Sequence, residues 1–374
     1  QSPGYPIQTA VAEMVEIANG GGSIAWVDAG GKPNVGPQSA GAVPGPVAYG
    51  RGGRQATTTD ANLLLGRIDP NSFAGGELTP DWDAVNRVFE TLGQELGVSA
   101  ADAARGVVRI ANANMTNALR LVSTNKGYDP RDFALMAFGG GGPMHAVALA
   151  RELKVPRVIV PVNSAVFSAW GMLLADLRRD SLQTYLMPLQ PATTDALMAH
   201  FRDMATDAAG NFARDGIAVG KGSLHFEYLL DMRYQGQEHT VKVPIALSAA
   251  PLDVGQVADL FHAAYEKRYT YRLPNSIQIV NFHLVARVAV PKPDLPKAAA
   301  TGRRLEDTVI GARRVDFDAQ GVAEAVIYNG AALEPGMQLA GPAVIQEPVV
   351  TLVVPPGDRV SIDDYGSYHV QLKI

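Results

Sequence analysis

Four consecutive glycines, Gly139-Gly140-Gly141-Gly142, separate the apolar run 133–136 from a helix-like run, 146–153, that ends before Lys154-Val155-Pro156. With no Cβ to block an amide or forbid a positive φ, bare main chain can come against a ligand where a strand gives way to a helix. A polyphosphate or a ribose edge suits such a surface; the other reading is that the glycines only allow close packing of helix on strand. Neither the dinucleotide fingerprint nor the P-loop spacing is met, since no Lys-Ser/Thr follows the glycines. A second cluster lies upstream, where Asn19-Gly20-Gly21-Gly22-Ser23 precedes Ile24-Ala25-Trp26-Val27-Asp28. With the apolar-rich segment 9–17 before it, this reads as a hairpin whose glycine turn is either a backbone nest for phosphate oxygens or a plain flexible tip.

The flanking patterns give the fold class. The run Arg157-Val158-Ile159-Val160 has the continuous apolar character of a strand buried in a parallel sheet, so 133–160 reads as one βαβ unit of an α/β domain. Residues 30–54 are dominated by Gly, Pro and Ala and read as a long loop, of the kind that serves as a lid or a partner-facing surface. In Thr57-Thr58-Thr59-Asp60-Ala61-Asn62, Thr59 or Asp60 caps a short helix, and the segment also offers several metal- or phosphate-capable oxygens. Apolar residues recur at three and four through 81–127, with Asn112, Asn114 and Asn117 inside the second helical stretch; asparagine is a poor mid-helix residue, which points to buried polar contacts or to a solvent-facing edge. Another helix begins in 164–172. Beyond about residue 185, two helical patches (195–214 and 254–269) are outnumbered by strand-like alternations at 224–234, 240–245, 277–290, 309–317 and 342–354. The expected organisation is an α/β lobe over 1–184 followed by a β-rich α+β domain over 185–374.

Composition narrows the function classes. The 374 residues are 47% hydrophobic and 18% charged, ordinary for a globular chain long enough for two or three domains. A net charge of −5 gives no electrostatic case for nucleic acid. Zero cysteines exclude disulfides, thiolate nucleophiles and cysteine metal sites, and agree with a cytoplasmic protein. The seven histidines include no His-x-x-x-His pair, which argues against a transition-metal site. The longest apolar stretches, such as 167–177, are broken by Gly171 and Asp176 and fall short of a bilayer span, and the opening Gln1-Ser2-Pro3-Gly4 has no signal-peptide pattern. A start without Met on a Pro/Gly-rich segment reads as a processed product or one half of a larger protein.

Taken together, 19–28, Gly36-Pro37-Gln38-Ser39-Ala40-Gly41, Tyr49-Gly50-Arg51-Gly52-Gly53, Thr59-Asp60-Ala61-Asn62-Leu63, 137–146, 167–176, Asp231-Met232-Arg233-Tyr234-Gln235-Gly236-Gln237, 265–271 and Gly341-Pro342-Ala343-Val344-Ile345 resemble the hydantoinase A/oxoprolinase family over essentially the whole chain. The resemblance implies an actin/hexokinase-like fold, in which two related α/β lobes clamp ATP, and ATP-dependent activation of a carbonyl. Family members include cyclic-amide hydrolases and the nucleotide-hydrolysing subunits of acetone and acetophenone carboxylases. The family's Asp-x-Gly-Gly-Thr phosphate loop is missing here, so the chain resembles the C-terminal half of the long subunit. The implied partners are the N-terminal half, a hydantoinase B-like subunit and a small amide or ketone substrate, with no nucleic acid and no membrane. By the same resemblance, Gly20, Gly21, Gly22 and Ser23 match the second phosphate hairpin and Gly139, Gly140, Gly141 and Gly142 the adenosine-side loop. Asp28 and Asp60 are placed near the phosphates as catalytic residues and Mg²⁺ ligands. Pro46-Val47-Ala48-Tyr49 departs from the family, many members of which carry Ala-Cys before the Tyr. The implied chemistry is phosphoryl transfer to an enolate or amide oxygen, by positioning and charge neutralisation. His145 is an acid/base candidate by position and reads more readily as a structural histidine; Trp170 reads as core rather than as the wall of a ketone pocket. A non-catalytic scaffold is the alternative from a different class.

Overall fold

The computed structural model describes residues 14–217, 222–247 and 252–373. They fall into two compact units, one made of 172–293 and the other of two stretches of sequence, 14–171 and 294–373.

The two-stretch unit begins with an antiparallel pair, β1 (Ser23–Val27) and β2 (Pro33–Ser39), and three helices, α1 (Thr58–Leu64), α2 (Trp82–Leu96) and α3 (Ala100–Val122). Helix starts are set by side chains that satisfy the first free amides: Asp81 accepts from Ala84 N–H at α2, and Ser99 from Asp102 N–H at α3. Gly97, at φ +69°, ends α2 in the left-handed conformation. The apolar stripes bury Val85 and Phe89 against Val107, Val108 and Ala111. Next, β3 (Ala134–Met136), α4 (Gly142–Leu153) and β4 (Arg157–Val160) form the expected unit with parallel strands, and α5 (Phe167–Leu174) contains the boundary between units.

The 172–293 unit is one antiparallel sheet of β5 (Leu177–Pro188), β6 (Leu224–Tyr234), β7 (Val241–Ile245) and β8 (Ile277–Val288), in the order β5-β8-β6-β7, with α6 (Thr194–Arg214) and α7 (Val254–Tyr269). Phe201 and Phe212 of α6 and Phe261 of α7 are buried with Leu230, Met232 and Phe282 of the sheet. Gly210 is exposed within α6, four residues before its end, with nothing near the position of a Cβ. Gly210→Ala is expected to stabilise the protein by about 0.5–1 kcal/mol, read as a higher urea midpoint at unchanged m-value.

From residue 294 the chain re-enters the first unit. β9 (Val309–Asp316), β10 (Val322–Asn329), β11 (Gln338–Ala340), β12 (Ala343–Gln346), β13 (Thr351–Val354), β14 (Arg359–Ile362) and β15 (Tyr368–Gln371) build two mixed sheets, ordered β13-β12-β10-β9 and β11-β14-β15-β4-β3. The fold is therefore mixed α/β with several sheets. β15 lies antiparallel against β4, Val370 opposite Val158, so the end of the chain completes a sheet that the βαβ unit begins. That pairing gives 294–373 to the unit holding the glycine segments, a different partition from the linear boundary at 184/185.

Two local expectations need correction. No strand precedes the first glycine cluster in 14–17, and 9–13 lie outside the described residues. The partner of β1 is β2, inside the segment read as a loop. The single strand expected at 342–354 is two, β12 and β13, separated by a turn. No helix among the described residues is long and apolar enough to cross a membrane.

Candidate functional site

Both glycine segments line one cavity of about 600 Å³ in the two-stretch unit. In the first, the Ser23 side chain ties off the turn: Gly20 N–H donates to Ser23 Oγ (2.9 Å) and Ser23 N–H to the Gly20 carbonyl (3.1 Å). The Gly21 carbonyl accepts from Thr59 N–H (2.8 Å) and the Gly22 carbonyl from Ala40 N–H (2.9 Å), which anchors the segment to α1 and to the end of β2. The carbonyls are thus used, while the amides of Gly21 and Gly22 have no acceptor among the described residues. A Cβ on Gly21 would lie 2.6 Å from Thr59 Oγ1, and one on Gly22 2.9 Å from Ser39 Oγ, so only glycine fits without displacement.

The second segment leaves the carboxyl end of β3. Gly139, at φ +82°, donates to the Ser164 carbonyl (2.7 Å), and α4 then starts at Gly142 with Pro143 in its first turn and no side-chain cap. The amides of Gly140, Gly141 and Gly142 have no acceptor among the described residues. Five unpartnered amides, three of them at the positive end of a helix, therefore line the same cavity.

His145, one turn into α4, also lines it. Its Nδ1 lies 2.7 Å from Asn112 Oδ1, which accepts the hydrogen bond and leaves Nε2 with the lone pair. Burial, with the charge of Arg67 adding to it, holds the imidazole down at about 4, so it is neutral at pH 7.

The expected site residues thus divide. Gly20, Gly21, Gly22, Gly140, Gly141 and Gly142 come together on the cavity; Ser23, Gly139, Asp28 and Asp60 do not line it. Asp28 closes the turn between β1 and β2, where Oδ1 accepts from Gly30 and Lys32 N–H, each at 2.9 Å. The Lys32 amide, chiefly, holds its carboxyl below the ordinary value. Asp60 is fully buried and accepts from Val47 N–H (3.2 Å), Ala48 N–H (2.8 Å), Thr57 N–H (2.9 Å) and Thr57 Oγ1–H (2.7 Å). Burial raises its pKa against the pull of these donors. Its geometry is that of a capping box for α1 that also ties down residues 47 and 48. Asp60→Asn turns a donor toward one of those amides and is expected to cost about 2 kcal/mol of stability. Chemical denaturation, with ATP affinity measured on the folded variant, separates this from a catalytic role.

The cavity adds residues outside the expected set. Asn19 donates Nδ2–H to the Ala111 carbonyl (2.7 Å), while its buried Oδ1 has no partner. Gln346 ends β12 and Glu347 follows it, at the carboxyl end of a strand parallel to β10, the usual place for ligand-binding groups in such sheets. Their sequence signal is a polar break in the apolar run 343–354. Among the described residues no group of three His, Asp or Glu could hold a metal by itself. Mg²⁺ on a polyphosphate asks less, one or two carboxylates with water and phosphate oxygens completing the shell. Of the two carboxylates on the cavity, Asp69 is paired with Arg313 (3.3 Å). Glu347 accepts from the Tyr368 hydroxyl through Oε1 and keeps Oε2 free, which fits that role.

Residues 1–181 match the hydantoinase/oxoprolinase family model and residues 190–372 the hydantoinase/oxoprolinase C-terminal domain. Caprolactamase subunit alpha of Pseudomonas jessenii is 35% identical over 98% of this chain and 53% of its own length. The solved ATP-dependent caprolactamase from that organism superposes with a TM-score of 0.79 at 34% identity, covering 95% of this chain and 52% of that one. The acetophenone carboxylase gamma subunit of Aromatoleum aromaticum is 31% identical over 97% of this chain and 51% of its own. The nucleotide-free structure of acetone carboxylase superposes with a TM-score of 0.81 at 27% identity, covering 94% and 52%. The chain spans about half the length of these relatives. With two matched models that between them cover nearly all of it, the chain belongs to the hydantoinase/oxoprolinase family.

Proposed function

We propose that this chain is the part of an enzyme subunit that binds ATP and positions its terminal phosphate against the oxygen of a cyclic amide, in ATP-dependent amide hydrolysis. The observation that carries the reading is the meeting of two glycine segments, distant in sequence, on one cavity with five unpartnered amides. Amides fixed by a scaffold stabilise phosphate charge without reorganising during transfer, which is the main demand of phosphoryl chemistry. When bound, ATP with Mg²⁺ would supply the phosphoryl group that makes an amide oxygen a leaving group, with ADP released; Glu347 would hold the cation and the amides of the two loops the phosphate oxygens. His145 donates from Nδ1 to Asn112, and its Nε2 lone pair is left to receive a hydrogen bond from a bound group; being neutral, the imidazole does not serve as an acid at pH 7. The likeness to an amide hydrolase at 35% identity favours this substrate class. A ketone carboxylase component is the second reading, favoured by the TM-score of 0.81 to acetone carboxylase. Partners are the N-terminal half of the family's long subunit and a hydantoinase B-like subunit.

The test is native mass spectrometry of the purified material, then an ATPase assay on the assembled complex. Stimulation by cyclic amides without bicarbonate is the expected result. Turnover that requires ketone and bicarbonate would move the protein to the carboxylases, and an assembled complex that binds no nucleotide would reduce this chain to a scaffold.

A further inference from the structure

A second cavity, of about 530 Å³, lies in the same unit beside the first, with Met144 on both. Hydrogen bonds form part of the wall between them. Asn112 faces the second cavity and bonds to His145, which faces the first; Arg67 faces the second and bonds to Asn62, which faces the first. Arg67 is the unusual member. It is only 7% exposed, and burial pulls its pKa down. Its Nε–H donates to the Asp316 carbonyl (2.9 Å) and Nη1–H to Asn62 Oδ1 (3.4 Å), leaving the remaining N–H groups of the fork without acceptors. The two carboxylates whose charge it feels are engaged elsewhere, Asp316 with Arg105 (2.7 Å) and Asp318 with Arg109 (2.5 Å).

A buried guanidinium without a carboxylate partner is costly, and a cavity that receives it is a place for an anion. The other charged groups lining the cavity cancel: Arg109 and Arg120 are paired to Asp318 and Glu152, which also line it, and Arg151 is paired to Asp358, so of the cavity's arginines Arg67 is the one without a direct ion pair among the described residues. Thr116, 2% exposed on the α3 wall, has a hydroxyl with no partner. We propose that this second cavity binds a small oxyanion, a phosphate or a carboxylate group, on the free edge of Arg67. The Asn62 and Asn112 hydrogen bonds make part of its wall the wall of the glycine cavity as well.

The experiment titrates the intact protein, free of phosphate, with inorganic phosphate and separately with acetate, by calorimetry and thermal shift, with ATP binding measured in parallel. Saturable binding of either anion is expected, and the tighter of the two names the chemistry. Arg67→Met should weaken it at least tenfold. Because that variant removes two buried hydrogen bonds, Ala113→Glu serves as the second: it puts a carboxylate on the cavity wall, should displace the anion to a similar extent, and should leave ATP affinity unchanged. Gly140→Val should lose ATP and keep the anion. No saturable binding, binding retained in a folded Arg67→Met or in Ala113→Glu, or binding lost in Gly140→Val would each overturn the proposal. Absence of ATP binding to the unsubstituted protein would instead count against the nucleotide reading of the first cavity, which the oxyanion site does not require.

Discussion

Gly21→Val is expected to weaken ATP binding by about 100-fold, about 2.7 kcal/mol, while leaving the protein folded. The backbone at Gly21 does not have a positive φ, so a side chain costs no intrinsic strain there. What it meets is space: a Cβ falls 2.6 Å from Thr59 Oγ1, and the Thr59 amide is the donor that holds the Gly21 carbonyl. Displacement therefore moves the anchor that fixes the free amides of Gly21 and Gly22, and the valine methyls enter the volume that phosphate oxygens need. Gly140→Val tests the opposite wall, where a Cβ would sit 3.3 Å from the Val349 carbonyl. Equilibrium binding of a fluorescent ATP analogue to both variants, with circular dichroism as the folding control, decides the matter. Unchanged affinity in both would remove the glycine cavity from consideration as the nucleotide site.

The second large effect is acid sensitivity from His145. Its folded-state pKa is about 4 against an ordinary value of 6.5, so the unfolded chain takes the proton first. Stability from this group is complete above about pH 6.5, falls as the pH drops, and is gone once the pH passes the folded value near 4. The gap corresponds to about 3 kcal/mol at most. Aspartates held below their ordinary value, such as Asp129 at about 2, lose their contribution at lower pH; Asp60, raised by burial, takes its proton first in the folded state and acts in the opposite sense, so the comparison with His145→Gln isolates the imidazole. Urea unfolding at a series of pH values should show the slope in the wild type and a reduced slope in His145→Gln; equal slopes would mean that the imidazole is not held neutral by burial.

The helices and the long strands were legible because their patterns are local and regular. The alternation at 224–234 and the apolar stripes of α6 and α7 appear in the structure nearly where the sequence puts them. The hairpin was not. β2 contains Pro33, Gly36 and Pro37, residues that lower strand propensity, with Gly36 at φ +68° and the Gly36–Pro37 peptide cis. Such a strand exists because β1 pairs with it, which no local pattern reports. The same holds for the site. Two glycine clusters could be read as ligand-binding backbone, but Glu347 becomes visible only when the β12–β13 turn is brought to them. Asp28 and Asp60 were attractive as carboxylates near glycines. The backbone donors that occupy them, Lys32 N–H for one and Val47, Ala48 and Thr57 N–H for the other, belong to turns whose shape the sequence does not declare.

The late return of the chain to its first unit has a consequence for synthesis. On the ribosome, both glycine segments emerge long before Gln346 and Glu347, and β3 and β4 before β15, the strand that lies against β4 in the finished sheet. Until those strands arrive, the apolar surface of α4 and the edge of β4 stand uncovered, a state open to wrong pairing and to capture by holding chaperones. The glycine cavity is thus complete only once 346–351 have been made, and a ribosome stalled within 172–293 carries both glycine segments but only part of the cavity wall.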